Sequence, residues 1–126
     1  MLKILLVEDE EILRDAFSMI LSTLPYEAET AANGKEALKK CRKTEYDLIL
    51  LDLMMPVMNG VDFLDEFAKT SRKSKIIVMS NLSSSSLLEE ALRRDVYRSV
   101  LKSDISPANL IALINEEFAS KTPVKQ

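Results

Sequence analysis

The chain has 126 residues, a length that suits one domain burying roughly two-thirds of the surface its unfolded form exposes. Its single cysteine, Cys41, excludes an internal disulfide framework and suits a reducing compartment, and the absence of histidine excludes a histidine metal site and a self-contained phosphohistidine relay. A formal net charge of -3, from 17 basic and 20 acidic residues, argues against direct nucleic-acid binding driven by charge.

Taken in chain order, the first element is the apolar run Ile4 to Val7, followed at once by Glu8, Asp9 and Glu10. It lacks the charged start and the length of a signal peptide, and no apolar stretch reaches the about 18 to 20 residues of a membrane span, so the expected location is the cytoplasm, without membrane contact. Ile12, Ala16, Phe17, Ile20, Leu21 and Leu24 then recur at helical spacing. Glu27 to Ala31 is a short, polar strand of edge character. Ala37, Leu38 and Cys41 mark a second helix, with Cys41 a packed or half-packed thiol. Leu48 to Leu51 and Ile76 to Met79 are continuous apolar runs, with a helix through Phe63, Leu64 and Phe67 between them. The stretch Ser83 to Arg94 predicts a helix with Leu87, Leu88, Ala91 and Leu92 on its stripe and serines offering capping oxygens at its start. Ser99 to Leu101 is a weaker strand, and Ser106 before Pro107 opens a last helix with Leu110, Ile111, Leu113, Ile114 and Phe118 inward. The polar stretch Ser120 to Gln126 reads as a frayed tail outside a domain covering 1–119.

Strands that are apolar throughout belong to parallel sheets covered on both faces, and strict strand-helix alternation gives a doubly wound α/β sandwich with right-handed crossovers. Such sheets present chemistry outside the carboxyl ends of their strands. Glu8, Asp9 and Glu10 follow the first strand, Asp52 the third, Ser80 the fourth and Lys102 the last. Crowded carboxylates raise one another's pKa unless a cation lies among them, and Mg2+, which binds through one or two carboxylates and shares its shell with phosphate oxygens, fits best. A carboxylate beside such a metal can attack a phosphoryl donor and become an aspartyl phosphate, with Lys102 as a positive charge and Ser80 as a hydroxyl donor on the phosphate oxygens. Each residue also has an ordinary role: the acids can cap the helix beginning near Glu11, Asp52 can serve a turn, Ser80 can be an N-cap and Lys102 a solvated charge. Singly the ordinary roles win; four such residues at the ends of four strands favour a site.

The string Asp52-Leu53-Met54-Met55-Pro56-Val57-Met58-Asn59-Gly60, preceded by Leu48-Ile49-Leu50-Leu51, resembles the phosphoacceptor strand and following loop of the response regulator receiver domain of two-component signalling. Val7-Glu8-Asp9-Glu10 resembles that family's acidic pocket and Asn33-Gly34-Lys35-Glu36-Ala37-Leu38 the start of its second helix, and the likeness runs from about Leu2 to Phe118. The resemblance implies a flavodoxin-like fold with five helices and a five-stranded sheet in the order 2-1-3-4-5. It implies that Asp52 is the phosphoacceptor, that Asp9, Asp52 and the backbone carbonyl of Met54 ligate Mg2+, and that Glu8 ligates directly or through water. Ser80 matches the family's switch hydroxyl and Lys102 its phosphate-contacting lysine. The implied partners are a sensor histidine kinase or phosphotransfer protein upstream and a protein target on the face made by the fourth helix, last strand and fifth helix.

Four positions depart from the family pattern. Asn81 stands where a small residue is usual, and would crowd or hydrogen-bond the phosphate and alter its lifetime. Ser99 replaces the tyrosine or phenylalanine three residues before the lysine; Tyr97, on the same strand face but about 6.6 Å back, is the candidate substitute. Ser103 replaces the proline after the lysine, which predicts a trans Lys102-Ser103 bond and a reshaped loop through Asp104. Asp95 stands where glycine is common, so that turn is expected to avoid positive φ or to accept it at modest cost.

In the expected switch, phosphate on Asp52 draws Ser80 inward and holds Lys102, displacing residues 81–84 and re-forming the output face. Leu82 is a candidate partner contact or a capping staple against Ser86 or Leu87. The competing reading is a degenerate receiver that binds partners without phosphorylation. An aspartate-nucleophile phosphatase of the haloacid dehalogenase kind needs a second acid where Met54 stands, and with only Gly34 and Gly60 there is no glycine-rich dinucleotide loop.

Overall fold

The structure, a computed structural model, describes residues 2–82 and 85–119. The strands are β1 (Lys3–Val7), β2 (Glu27–Ala31), β3 (Leu48–Asp52), β4 (Lys75–Ser80) and β5 (Arg98–Leu101), and the helices α1 (Glu11–Leu21), α2 (Gly34–Lys43), α3 (Gly60–Phe67), α4 (Ser85–Ala91) and α5 (Pro107–Ala119). All strand pairs are parallel, in the order β2-β1-β3-β4-β5, as expected for a doubly wound sheet. The expected polar tail lies outside the described residues.

Two separate cores explain why the strands read as unbroken apolar runs. Leu5, Val7, Ile49, Leu51, Ile76 and Val78 face α2, α3 and α4, whereas Ile4, Leu6, Leu48, Leu50, Ile77 and Met79 face α1 and α5. Successive strand residues point to opposite faces, so a sheet covered on both sides leaves its interior strands room for polar residues only at their ends. At the β2 edge one side is open, and Glu27, Ala28 and Glu29 are exposed accordingly.

The helix starts follow the capping residues. Asn33 accepts from the Glu36 N–H at 2.9 Å, Asn59 from the Asp62 N–H at 2.9 Å and Ser106 from the Asn109 N–H at 3.1 Å. Cys41 is packed inside the α2–α3 core, where burial first of all pushes its thiol up to about 12.

The stripe reading fails at three places, Ile12, Ala16 and Leu92, and Ala16 is exposed in the middle of α1. Ile12, in the first turn of α1, is 85% exposed, and the buried face of that helix is carried by Phe17 and Leu21. α4 ends at Ala91, so Leu92 falls in the following turn and is exposed, not inward as its spacing predicts. Ser83 and Ser84, read as the start of that helix, lie outside the described residues.

Candidate functional site

The parallel register brings the carboxyl ends of four strands to one edge. Val7 lies opposite Leu51, Asp52 opposite Met79 and Ser80 opposite Leu101, so the residues at and after those positions face a common cleft. That cleft, of about 210 Å3, is lined by Asp9, Glu10, Asp52, Met54, Asn81 and Lys102. Glu8 (0% exposed), Asp52 (2%) and Ser80 (2%) are buried around it.

Lys102, in a 3-10 turn directly after β5, reaches back over the edge: its Nζ lies 2.8 Å from Glu8 Oε1 and 3.5 Å from Asp52 Oδ2. Glu8 Oε1 receives no well-directed hydrogen bond, so its compensation is the charge of that ammonium. Glu8 Oε2 accepts the Glu10 N–H at 3.1 Å, and Asp52 Oδ1 accepts the Met54 N–H at 3.4 Å. Glu10 caps α1 without a side-chain hydrogen bond, so the acids after β1 are not held as helix caps.

One ammonium does not balance three acids. Carboxylate oxygens of Glu8, Asp9 and Asp52 lie within 4.8 Å of one another. Burial first, then the charge of Glu8, push the Asp52 carboxyl up to about 8; Lys102 opposes, and hydrogen bonding and charge from Asp9 add to the rise. Burial, the largest influence on Lys102, lowers its pKa, but the close Glu8 carboxylate and the charge of Asp52 outweigh it and hold the ammonium above its usual value.

The donor set suits a small hard cation. Mg2+ is held through one or two carboxylates with waters and phosphate oxygens completing its shell, a requirement that these neighbouring carboxylates fit. The set is all oxygen, without the nitrogen and sulfur ligands that softer metals prefer.

The loop after Asp52 is held by close backbone approaches. The Gly60 N–H donates to Leu53 O at 2.9 Å, and a Cβ on Gly60 would lie 2.8 Å from Leu53 Cα and 2.9 Å from Asp52 O, so only glycine fits. The Met58 N–H donates to Pro56 O at 2.7 Å, closing a tight turn on Val57, whose φ is 70°. No other non-glycine residue among those described has positive φ, so Asp95 avoids it.

Among the described residues no peptide bond is cis, so Lys102-Ser103 is trans as expected. Tyr97 is not placed as the substitute aromatic. It precedes β5 instead of lying in it, and its ring packs under Lys75 Nζ, 4.4 Å from the centroid, at the edge where the strands begin. The two-residue strand period fails there because the backbone is bent ahead of Arg98.

Sequence reasoning missed Arg14, which donates to the backbone carbonyls of Glu8 at 2.9 Å and Asp9 at 3.2 Å. It also missed Glu117, buried among α5 and the starts of β4 and β5 with Lys75 and Arg98 beside it. The only local signal was an acid one residue before the inward Phe118.

Comparison with known proteins gives a consistent picture. A family model described as the response regulator receiver domain matches residues 4–115. The chemotaxis protein CheY of Thermotoga maritima is 30% identical over 115 residues, covering 90% of this chain and 95% of that protein. Two longer curated regulators, one from Bacillus subtilis and one from Escherichia coli, are spanned over only 52% and 55% of their length. The crystal structure of a CheY-like receiver domain protein from Methanospirillum hungatei superposes with a TM-score of 0.86 at 26% identity, covering 96% of each chain. The receiver domain of the Pseudomonas aeruginosa sensor histidine kinase PA1611, solved with a magnesium ion in its active-site cleft, shares the fold with a TM-score of 0.83 at 23% identity over 94% of this chain and 98% of that one.

Proposed function

Because the chain belongs to the response regulator receiver domain family, the signalling domain of two-component systems, we propose that Asp52 accepts a phosphoryl group from a histidine kinase or phosphotransfer protein and that the modified domain switches a protein-binding face. The observation that carries this reading is the buried Asp52 carboxyl beside Glu8 and Asp9, with a single ammonium to balance them. Asp9, Asp52 and the backbone carbonyl of Met54, with Glu8 directly or through water, would hold Mg2+, which neutralises the acids and screens the incoming phosphoryl oxygens.

In the transfer, an Asp52 oxygen attacks the phosphorus of the donor's phosphohistidine; the new P–O bond forms as the P–N bond breaks, and the imidazole nitrogen leaves with the bonding pair. Lys102 exchanges its carboxylate contacts for a phosphoryl oxygen, and Ser80 donates its hydroxyl to another. Asn81, at the mouth of the same cleft, adds an amide there that bears on how long the phosphate survives. These 126 residues supply no histidine, so the phosphoryl group comes to Asp52 from elsewhere.

The output face is α4, β5 and α5. Support comes from the 85% exposed Leu82 beside the cleft and from a groove of about 410 Å3 along β5 and α5 that includes Ser99, Val100, Ile105, Asn109 and Leu113. This partner is a protein rather than nucleic acid, in keeping with the net charge of -3. The absence of a large aromatic at Ser99, with Tyr97 committed to Lys75, favours a second reading: a degenerate receiver that docks without phosphorylation.

Acetyl phosphate with Mg2+ separates the two. The expected result is a mass gain of one phosphoryl group on the native chain, lost completely in Asp52→Asn and on removal of Mg2+ with chelator. An unmodified native chain that still captures the same partners would establish the degenerate reading.

A further inference from the structure

We propose that Arg14 is a positioning residue for the metal site, clamping the turn that carries Glu8 and Asp9; this rests on the reading of that site given above. The β1 ladder ends with Val7, and the Glu8 N–H still bonds Ala31 O at 3.0 Å. Beyond that rung the chain turns away from the sheet, and the carbonyls of Glu8 and Asp9 have no backbone donor among the described residues. Arg14, one turn into α1 with its own N–H on Glu10 O at 2.8 Å, fills that gap: the same Nη1 donates to Glu8 O at 2.9 Å and to Asp9 O at 3.2 Å.

The guanidinium makes no ion pair with any acid among the described residues, although Glu10, Glu11 and Asp15 are near in sequence. A partly buried arginine that leaves adjacent acids for two carbonyls is used for its geometry more than for its charge. The turn needs such a clamp because, among the described residues, Asp9 meets only another acid, the Asp52 carboxyl, whereas Glu8 is fixed by Lys102 and the Glu10 N–H and Asp52 by the end of β3. Holding both peptide planes limits rotation of the segment that aims Asp9 at Asp52, which is how outer partners of metal ligands tune affinity.

Clamp and charge act in opposite directions, which makes the claim testable. A cation beside three carboxylates repels Mg2+, so if charge were all, removing it would tighten binding. The native chain, Arg14→Lys and Arg14→Gln are titrated with Mg2+ while the amide resonances of Glu10 and Met54 are followed by NMR. Both variants are expected to weaken binding about tenfold with unchanged urea midpoints, the lysine failing to rescue because a single ammonium on a freely turning stem does not fix both planes. Native affinity in Arg14→Lys, or tighter binding in Arg14→Gln, would overturn the proposal while leaving the proposed function intact. A native chain that does not respond to Mg2+ would overturn both together.

Discussion

The two edges of the sheet both bury acids and compensate them differently. Where the strands begin, Glu117 is enclosed but lies between Lys75 Nζ at 3.4 Å and Arg98 Nη1 at 3.3 Å, and Lys75 also caps the Tyr97 ring. Where the strands end, Lys102 pairs, among the described residues, with Glu8 and Asp52 alone while Asp9 lies beside them, and burial together with the Glu8 charge pushes Asp52 up to about 8. A buried charge with partners enough is a structural joint; a surplus of like charge with too few partners is the arrangement proposed above to hold a cation. Burial alone does not separate the two, and a census of opposite charge does.

Three experiments press on that contrast. The largest effect is expected at the balanced edge. Glu117→Ala removes the acid between two partly exposed cations and should cost about 2 kcal/mol in urea denaturation, less than the 3 to 5 kcal/mol of a fully enclosed pair because Lys75 and Arg98 retain some water. No loss of stability would erase the distinction between the edges.

The unbalanced edge should answer to pH. Asp52 has its folded-state pKa raised from 3.8 to about 8, so as pH climbs the unfolded chain gives up this proton first and folding becomes less favourable across that window, levelling off above it. Without divalent cation, stability measured by urea at fixed pH should therefore fall from pH 5 to pH 8 more steeply in the native chain than in Asp52→Asn, and Mg2+ should flatten the difference. Parallel pH profiles for the two chains would contradict the assignment of Asp52 as the strained acid.

The smallest effect concerns backbone strain beside the same site. Val57 is a β-branched, exposed residue at φ 70°. Val57→Gly relieves a left-handed penalty of about 1 to 2 kcal/mol while adding unfolded-state entropy, for a net gain of about 0.5 to 1 kcal/mol and a rise of a few degrees in Tm. A fall in Tm would mean that the turn is not strained.

Much of this arrangement was legible because it follows from patterns along the chain. Unbroken apolar runs at Ile4, Leu48 and Ile76 required a sheet covered on both faces, and parallel strands necessarily bring Glu8, Asp52, Ser80 and Lys102 to one edge. What escaped depends on where neighbours stop. Helical periodicity marked Ile12, Ala16 and Leu92 as inward, but period says nothing of what packs against a given turn. Glu117 meets Lys75 from 42 positions away, and Arg14 meets carbonyls that carry no side-chain signature, so neither was visible as a pattern. Tyr97 was assigned by strand parity, which holds only while the strand continues.

The packing of Cys41 has a practical corollary. That residue is the only cysteine in the sequence, enclosed by α2 and α3, and burial pushes its thiol up and keeps it protonated at neutral pH. A maleimide therefore meets a shielded, protonated thiol, and a cysteine introduced on the exposed surface is the far more reactive handle for a fluorophore or spin label.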